Sequence, residues 1–568
     1  MNLQLILTHY LASLRERNEL DALLPELLKA MGHSVHSRAQ TGVPQAGVDL
    51  LSTQVDAEGV EEVFLWILKF GDLGRGDLHS GQQAVEPSVH EAVNEYVRNR
   101  LAADLVGKPV RVVVVSNGVL KQEAQSGFAA LTKYVNEKGH RLEFWGMDQL
   151  TPLIEAHLFD EALLLTHGKS DLRAALAGLE ESETAVRRFV RFLNTCFDAP
   201  APEHEQAAAT RRRFFLKRCA AAAMGYGVLT VWSIAENNLK PAVIAGDCAL
   251  ARLWAEAVKA GLANDEEFRE RFAACLRVHL DTLESYYERI MPALLLPRVL
   301  VGYRPNPVVY AQLVFEELGR LATLLLIAQF TGVPTVVRGG IHQALKKFVS
   351  THTVCYRPVF DDHGIDLSLA LCALLGEDDV RSTNSVLRNT IATLKIALRQ
   401  NAYLPVDTDL MEDAMAAHVM GTAQPREFFQ TSTLVPMLAT IAAAIGDDEG
   451  LSQLRALALH MEGVTLERWY PNKELETFAG AKRNLVDVGA SRVLAEIRAT
   501  APEEVEASLS IPEGASERDD FVWYGSSLEV LVALSARLHR HPLPPWFILH
   551  CASGALRDAP LADDVLPA

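Results

Sequence analysis

Between Val110 and Ser116 the chain reads VRVVVVS, five valines in seven residues. β-Branched residues at consecutive rather than alternate positions predict a strand with both faces covered. Such a strand cannot sit in a helix bundle, nor in a sheet with one wet face. It demands the middle of a sheet carrying helices on both sides.

The flanking sequence supplies those layers. From Leu20 the apolar positions 20, 23, 24, 27, 28 and 31 mark one face of a helix that Gly32 closes, with Pro25 inside it. HSVHSR, GVDLLSTQV and VEEVFLWILKF read as three strands, and SVHEAVNEYVRNRLAADL as a helix. After VRVVVVSNG come a helix, KQEAQSGFAALTKYVNEKG, and a last strand, RLEFWGMDQL. The order α-β-β-β-α-β-α-β fills residues 1–165 as an α/β domain. Beyond about residue 170 the period changes to that of helices, and a large all-α region is expected over 166–510. PheAsp-Ala-Pro-rich sequence at 197–213 reads as a linker, and IPEGASERDD at 511–520 as a break before a C-terminal helical element, 511–568.

Length and charge set outer limits. At 568 residues two to four domains are expected, and 49% hydrophobic with 22% charged residues describes a folded chain. A formal net charge of −18 argues against nonspecific polyanion binding by the whole surface. Seven cysteines scattered singly, without a CxxC pair, fit a reducing compartment. The N-terminus has no basic start or small-residue cleavage site, and no apolar run reaches the roughly 18–20 residues of a membrane span. A cytoplasmic protein without membrane partners is expected. RRRFFLKRCAAAAMGYGVLTVW, Arg211–Trp232, has the composition of a twin-arginine export signal but lies about 200 residues into the chain, so it reads as a basic-flanked buried helix.

Two charges stand out against the apolar background. Asp49 lies in AGVDLL, and Lys69 ends FLWILK, the most apolar strand. Charges in such runs are ordinarily paired, metal-bound or catalytic. Meeting on neighbouring strands, Asp49 would ligate a divalent cation through hard oxygens, and Lys69 would orient water and offset charge on a phosphate.

Residues 20–160 resemble the PD-(D/E)XK nuclease superfamily, most closely its type IV, Mrr-like restriction endonuclease branch. LDALLPELLKAMGHSV is similar to that branch's opening helix, with Asp21 at the helix acid and His33 at a position usually aromatic. TGVPQAGVDLL resembles its glycine-rich approach to the metal-binding acid, at Asp49, and FLWILK its lysine strand, at Lys69. VRVVVVSNG through GMDQLTPLI resembles the closing β-α-β. The resemblance implies a restriction-endonuclease-like mixed sheet flanked by helices, with Asp49, Lys69 and Asp21 catalytic and Asp49 and Asp21 holding Mg²⁺. Where the family carries Glu or Gln, two residues before the lysine, this chain has Ile67. Some members supply that acid from the following helix, which here offers Glu86, Glu91 and Glu95; Asp72 and Asp77 also follow the strand. The implied function is a Mg²⁺-dependent DNA endonuclease in a prokaryotic restriction or anti-phage defence system, its helical region sensing a trigger or binding a partner subunit or a second copy. The alternative is a catalytically inactive nuclease-fold scaffold that binds partner subunits or nucleic acid.

The remaining signals are weaker. Residues 1–165 carry 14 Lys/Arg against 22 Asp/Glu, net −8, with Arg98, Arg100, Lys108 and Arg111 as the best basic cluster for DNA. His352, Cys355, Asp362 and His363 are metal-capable types without a zinc spacing. GDLGRGDLHSG lacks the lysine and Ser/Thr of a phosphate-binding loop.

Overall fold

The computed structural model describes residues 7–553 apart from 9, 13, 15–19, 38–45, 56–58, 81–83, 159–165, 199–207, 298, 302–305, 421–424, 479–484 and 495–510. The linker expected at 197–213 falls partly outside the described residues. The chain forms two compact units, 1–245 and 246–567. Helices 166–235, expected to open the helical region, thus belong to the same unit as the sheet.

The first unit is built on a five-stranded mixed sheet in the order β1 (Ser34–Ser37), β2 (Leu50–Val55), β3 (Glu61–Lys69), β4 (Val110–Ser116), β5 (Arg141–Trp145). β1–β2 and β2–β3 pair antiparallel, while β3–β4 and β4–β5 pair parallel. Parallel pairing needs long crossovers, and helices supply them. α1 (Asp21–Met31) precedes β1. α2 (Arg75–His79) and α3 (Val85–Glu91), the latter continued by a π-helical stretch Ala92–Arg100, link β3 to β4. α4 (Gln122–Glu137) links β4 to β5, and α5 (Met147–His157) follows. Pro25 is accommodated within α1, and Gly32 closes it in the left-handed conformation at φ 96°.

Alternation along β3 divides the core. Val63, Leu65 and Ile67 join Val112 and Val114 in one cluster with Val85 and Val89 of α3 and with Ala124, Phe128, Leu131 and Val135 of α4. On the other face Trp66 lies edge-on to Trp145 and stacks with Phe64. The valine strand is buried on both faces, as its composition requires. Three whole helices follow in the unit, α6 (Thr166–Ala177), α7 (Ser182–Asp198) and α8 (Ala208–Ala235), and its last residues open a further helix, Lys240–Lys259, that runs past Ala245. α8 is the one described helix long and apolar enough to cross a bilayer, yet 67% of its most apolar window is buried inside the protein.

The second unit is mainly helical, around two neighbours, α9 (Pro307–Phe330) and α10 (His363–Gly376); every residue of α10 is buried. It is not all-α. A small sheet pairs Thr431–Ser432 (β6) with Thr465–Pro471 (β7), and β7 with Gly489–Val493 (β8). The buried aromatic pair Trp469–Tyr470 anchors β7, whose partners lie too far along the chain for local periodicity to reveal.

Candidate functional site

β3 ends on Lys69, and Asp49, just before β2, is bonded to the backbone of β3 beside that end. The Leu68 N–H donates to Asp49 Oδ2 at 2.7 Å, and the Asp49 N–H donates to the Trp66 carbonyl at 2.9 Å. The Asp49 carboxylate therefore takes the place of a ladder acceptor where β2 leaves β3, bonded to the residue just before Lys69. This is a structural employment for an acid that sequence reasoning assigned to a metal.

Lys69 is 7% exposed, and its Nζ donates to Ser88 Oγ at 3.2 Å. Ser88 in turn donates to the Ala84 carbonyl within its own helix. α3 is drawn against this point by Gly47, which has φ 73°; a Cβ there would come within 2.2 Å of the Ser88 carbonyl oxygen. So the loop leading to Asp49, helix α3 and the end of β3 converge. Neither Gly47 nor Ser88 was singled out by sequence, and only GVPQAG hinted at a close backbone approach.

Behind Lys69 the turn at Gly71 is fixed by side chains that sequence reasoning also missed. Ser116 Oγ donates to the Gly71 carbonyl at 2.5 Å, and Asn117 Oδ1 accepts from the Gly71 N–H at 2.7 Å. Asn117 also donates to the carbonyls of Leu11 and Leu14, tying the N-terminal segment to the sheet. SNG after the valine strand was its only sequence signal.

Alternation puts Ile67 on the same face as Lys69. It is fully buried among Val48, Val85 and Val89. Hydrocarbon, sealed by α3, fills the place where the resemblance calls for a carboxylate or amide. The migrated acids do not repair this. Glu86 lies about 200° around the helix from Ser88; it accepts from His79 Nδ1 at 2.6 Å, a bond that holds its carboxyl below the usual range. Glu91 is exposed, and Glu95 pairs with Arg100 at 2.8 Å. Asp72 accepts from the Val119 N–H and Asp77 caps Gly74. Asp21 opens α1, which packs on β1 and α5, and its buried Oδ1 has no hydrogen-bond partner. Among the described residues no three His, Cys, Asp or Glu side chains form a group able to hold a metal ion. The expected Mg²⁺ ligands lie on separate elements, Asp49 just before β2 and Asp21 at the start of α1.

His33, at the usually aromatic position, does ring work. It is buried edge-on to Phe64 at 4.7 Å and Trp66 at 5.8 Å, with Nδ1 3.1 Å from Ser52 Oγ. Burial, assisted by the nearby Arg111 charge, pushes it down to about 4, so it is neutral at physiological pH.

The basic cluster expected to meet DNA is largely consumed within the fold. Arg111 is held between Glu62 at 2.8 Å and Glu143 at 2.6 Å, Lys108 by Glu61 at 2.5 Å, and Arg100 by Glu95. In the second unit the metal-capable types are likewise structural. His352 bridges Tyr310 and the Leu294 carbonyl, Cys355 is buried, and Asp362 pairs with Arg540 at 3.0 Å. The Val359 N–H donates to His363.

Comparison with known families, curated proteins and solved structures yields no match to this chain.

Proposed function

We propose that the first unit is a restriction-endonuclease-like scaffold that binds DNA without cutting it, within a prokaryotic anti-phage defence protein whose helical second unit engages a trigger or partner subunit. The observation that carries this reading is Ile67. It is fully buried, beside Lys69 on one sheet face, where a metal-holding group would have to stand. Asp49 and Lys69 meanwhile serve as pairing groups, to the Leu68 N–H and to Ser88. The α-β-β-β-α-β-α-β order and the mixed sheet support the ancestry, and function rests on the site rather than on that ancestry.

Plasmid DNA incubated with the protein and Mg²⁺ or Mn²⁺ tests the reading. The expected result is intact plasmid, with DNA binding retained in EDTA. Metal-dependent nicking by the wild type, abolished in Asp49→Ala and Lys69→Ala, would overturn it.

One observation favours a second reading, a Mg²⁺-dependent endodeoxyribonuclease. The buried, unpartnered Oδ1 of Asp21 is an oxygen suited to a cation. In that case Asp21 and Asp49 would hold the metal when DNA binds, and Asp21→Asn would abolish cleavage.

A further inference from the structure

In the second unit one deeply buried cation has no acid beside it. Arg468, in the middle of β7, is 7% exposed and makes no ion pair with a described residue. Elsewhere in the unit buried guanidinium groups are matched by carboxylates. Arg320 has Glu316 at 2.9 Å and Glu317 at 2.6 Å, and Arg540 has Asp362 and Asp366, each at 3.0 Å. A guanidinium stays charged inside a protein, and a buried charge without its counter-charge is costly.

The strand register gathers further donors at the same point. Arg492, exposed on the edge strand β8, pairs directly across from Arg468, and Tyr470 follows Arg468 on the same face of β7. Like charges set opposite each other on a sheet repel. Burial raises the Tyr470 phenol, while the charges of Arg468 and Arg492 draw it back down, so both guanidinium groups stand near that hydroxyl. Yet Arg468 Nε and the Tyr470 hydroxyl are both buried without a well-formed hydrogen bond. The residue opposite Tyr470 is Ala490, and a Cβ on Gly514 would meet only the Ala490 methyl within 4 Å, at 3.8 Å. Small residues therefore leave space on the face that carries the donors. Glu467 and Trp469 alternate to the other face, where Trp469 stacks with His541 at 4.7 Å, so Glu467 does not neutralise the pair.

We infer that this face of the small sheet is a binding site for a terminal phosphate, a phosphomonoester or inorganic phosphate, held by Arg468 and Arg492 with the Tyr470 hydroxyl as a third donor. Two guanidinium forks and a hydroxyl present donors from three directions. A terminal phosphate meets them with three oxygens and nearly two negative charges, whereas a carboxylate has two oxygens in one plane and a single charge. The inference goes beyond the reading above: it concerns the second unit alone, and stands or falls independently of DNA binding by the first.

The test uses the full chain in phosphate-free buffer. Calorimetric titration is carried out with inorganic phosphate, with adenosine 5′-monophosphate and with acetate. Both phosphate probes should bind, and acetate should bind at least about tenfold more weakly, as the loss of one charge-assisted contact requires. Tighter binding of the nucleotide assigns the site to a phosphorylated small molecule, and equal binding assigns it to free phosphate; either supports the inference. Arg468→Met and Arg492→Gln should each weaken phosphate about tenfold or more, and Tyr470→Phe by less. Thermal unfolding separates binding from packing. Arg468→Met keeps the bulk and removes the charge, so without phosphate it should melt at or above the wild-type temperature, and phosphate should no longer raise it. Arg492 is exposed, so its variant keeps the test decisive if the buried substitution fails to fold. No phosphate binding by the wild type, acetate binding as tight as phosphate, or unchanged phosphate affinity in Arg492→Gln overturns the inference. So does an Arg468→Met protein that folds but melts several degrees lower without phosphate, because the charge would then be compensated within the fold.

Discussion

At the residue scale, Asp49, Ile67 and His33 show how a strand end can keep the outline of a site while its groups serve the fold. The Asp49 carboxylate satisfies a backbone N–H that β2 no longer reaches. Asp49→Ala leaves that donor unpaired and should destabilise the first unit by about 1–3 kcal/mol. Asp49→Asn keeps an acceptor and should cost less than half as much. Chemical denaturation of the two variants checks this; equal losses would mean that the negative charge, not the hydrogen bond, matters. His33 adds a pH dependence. Its folded-state value of about 4 lies below the ordinary 6.5, so the neutral ring contributes stability that is complete above about pH 6.5 and is lost as pH falls toward 4. The loss is of the order of 3 kcal/mol at most. His33→Phe should flatten the melting temperature of the first unit between pH 6.5 and 4. A variant that tracks the wild type through that window would assign the acid sensitivity to other groups.

At the element scale, the sheet was readable and its end was not. VRVVVVS announced a central strand because valines at every position need two covered faces, and the alternation in FLWILK already put Ile67 and Lys69 on one side. What local pattern could not supply was the approach of α3, because that depends on a loop with no periodicity. Gly47 governs it. Its φ of 73° and the nearby Ser88 carbonyl both exclude a side chain. Gly47→Ala should cost about 2 kcal/mol or more, combining left-handed strain with backbone overlap. It should also loosen the Lys69–Ser88 contact, read as faster hydrogen exchange in Val85–Glu91. Unchanged exchange there would show that the helix is held by its valines alone. The small sheet of the second unit escaped notice for a related reason. β7 and β8 draw their stability from each other across the chain, and only TLERWYP, with its clustered aromatics, carried a trace of a strand.

At the scale of the whole molecule, the informative disagreement concerns where the first unit ends. The change of period near residue 170 suggested a boundary at 165, yet the unit extends to Ala245. Periodicity reports which side of a helix is apolar, not what covers it. Here the cover is visible in the N-terminal segment: Leu7, Leu11 and Leu14 are buried, Asn117 bonds the carbonyls of Leu11 and Leu14, and Tyr10 lies against Gly227 of α8. One side of that segment is therefore joined to the sheet and another meets α8. A fragment ending at 165 strips away α8 and exposes part of this apolar surface, whereas one ending at 245 retains it. Burying even two leucine-sized side chains is worth about 3–6 kcal/mol. With roughly 2–4 °C per kcal/mol for a unit of this size, the shorter fragment should melt at least about 6 °C lower, or fail to stay monodisperse. Calorimetry on the two purified fragments decides it. Equal melting temperatures would mean that the sheet and its own helices form the complete folding unit, and that α6–α8 are only attached to it.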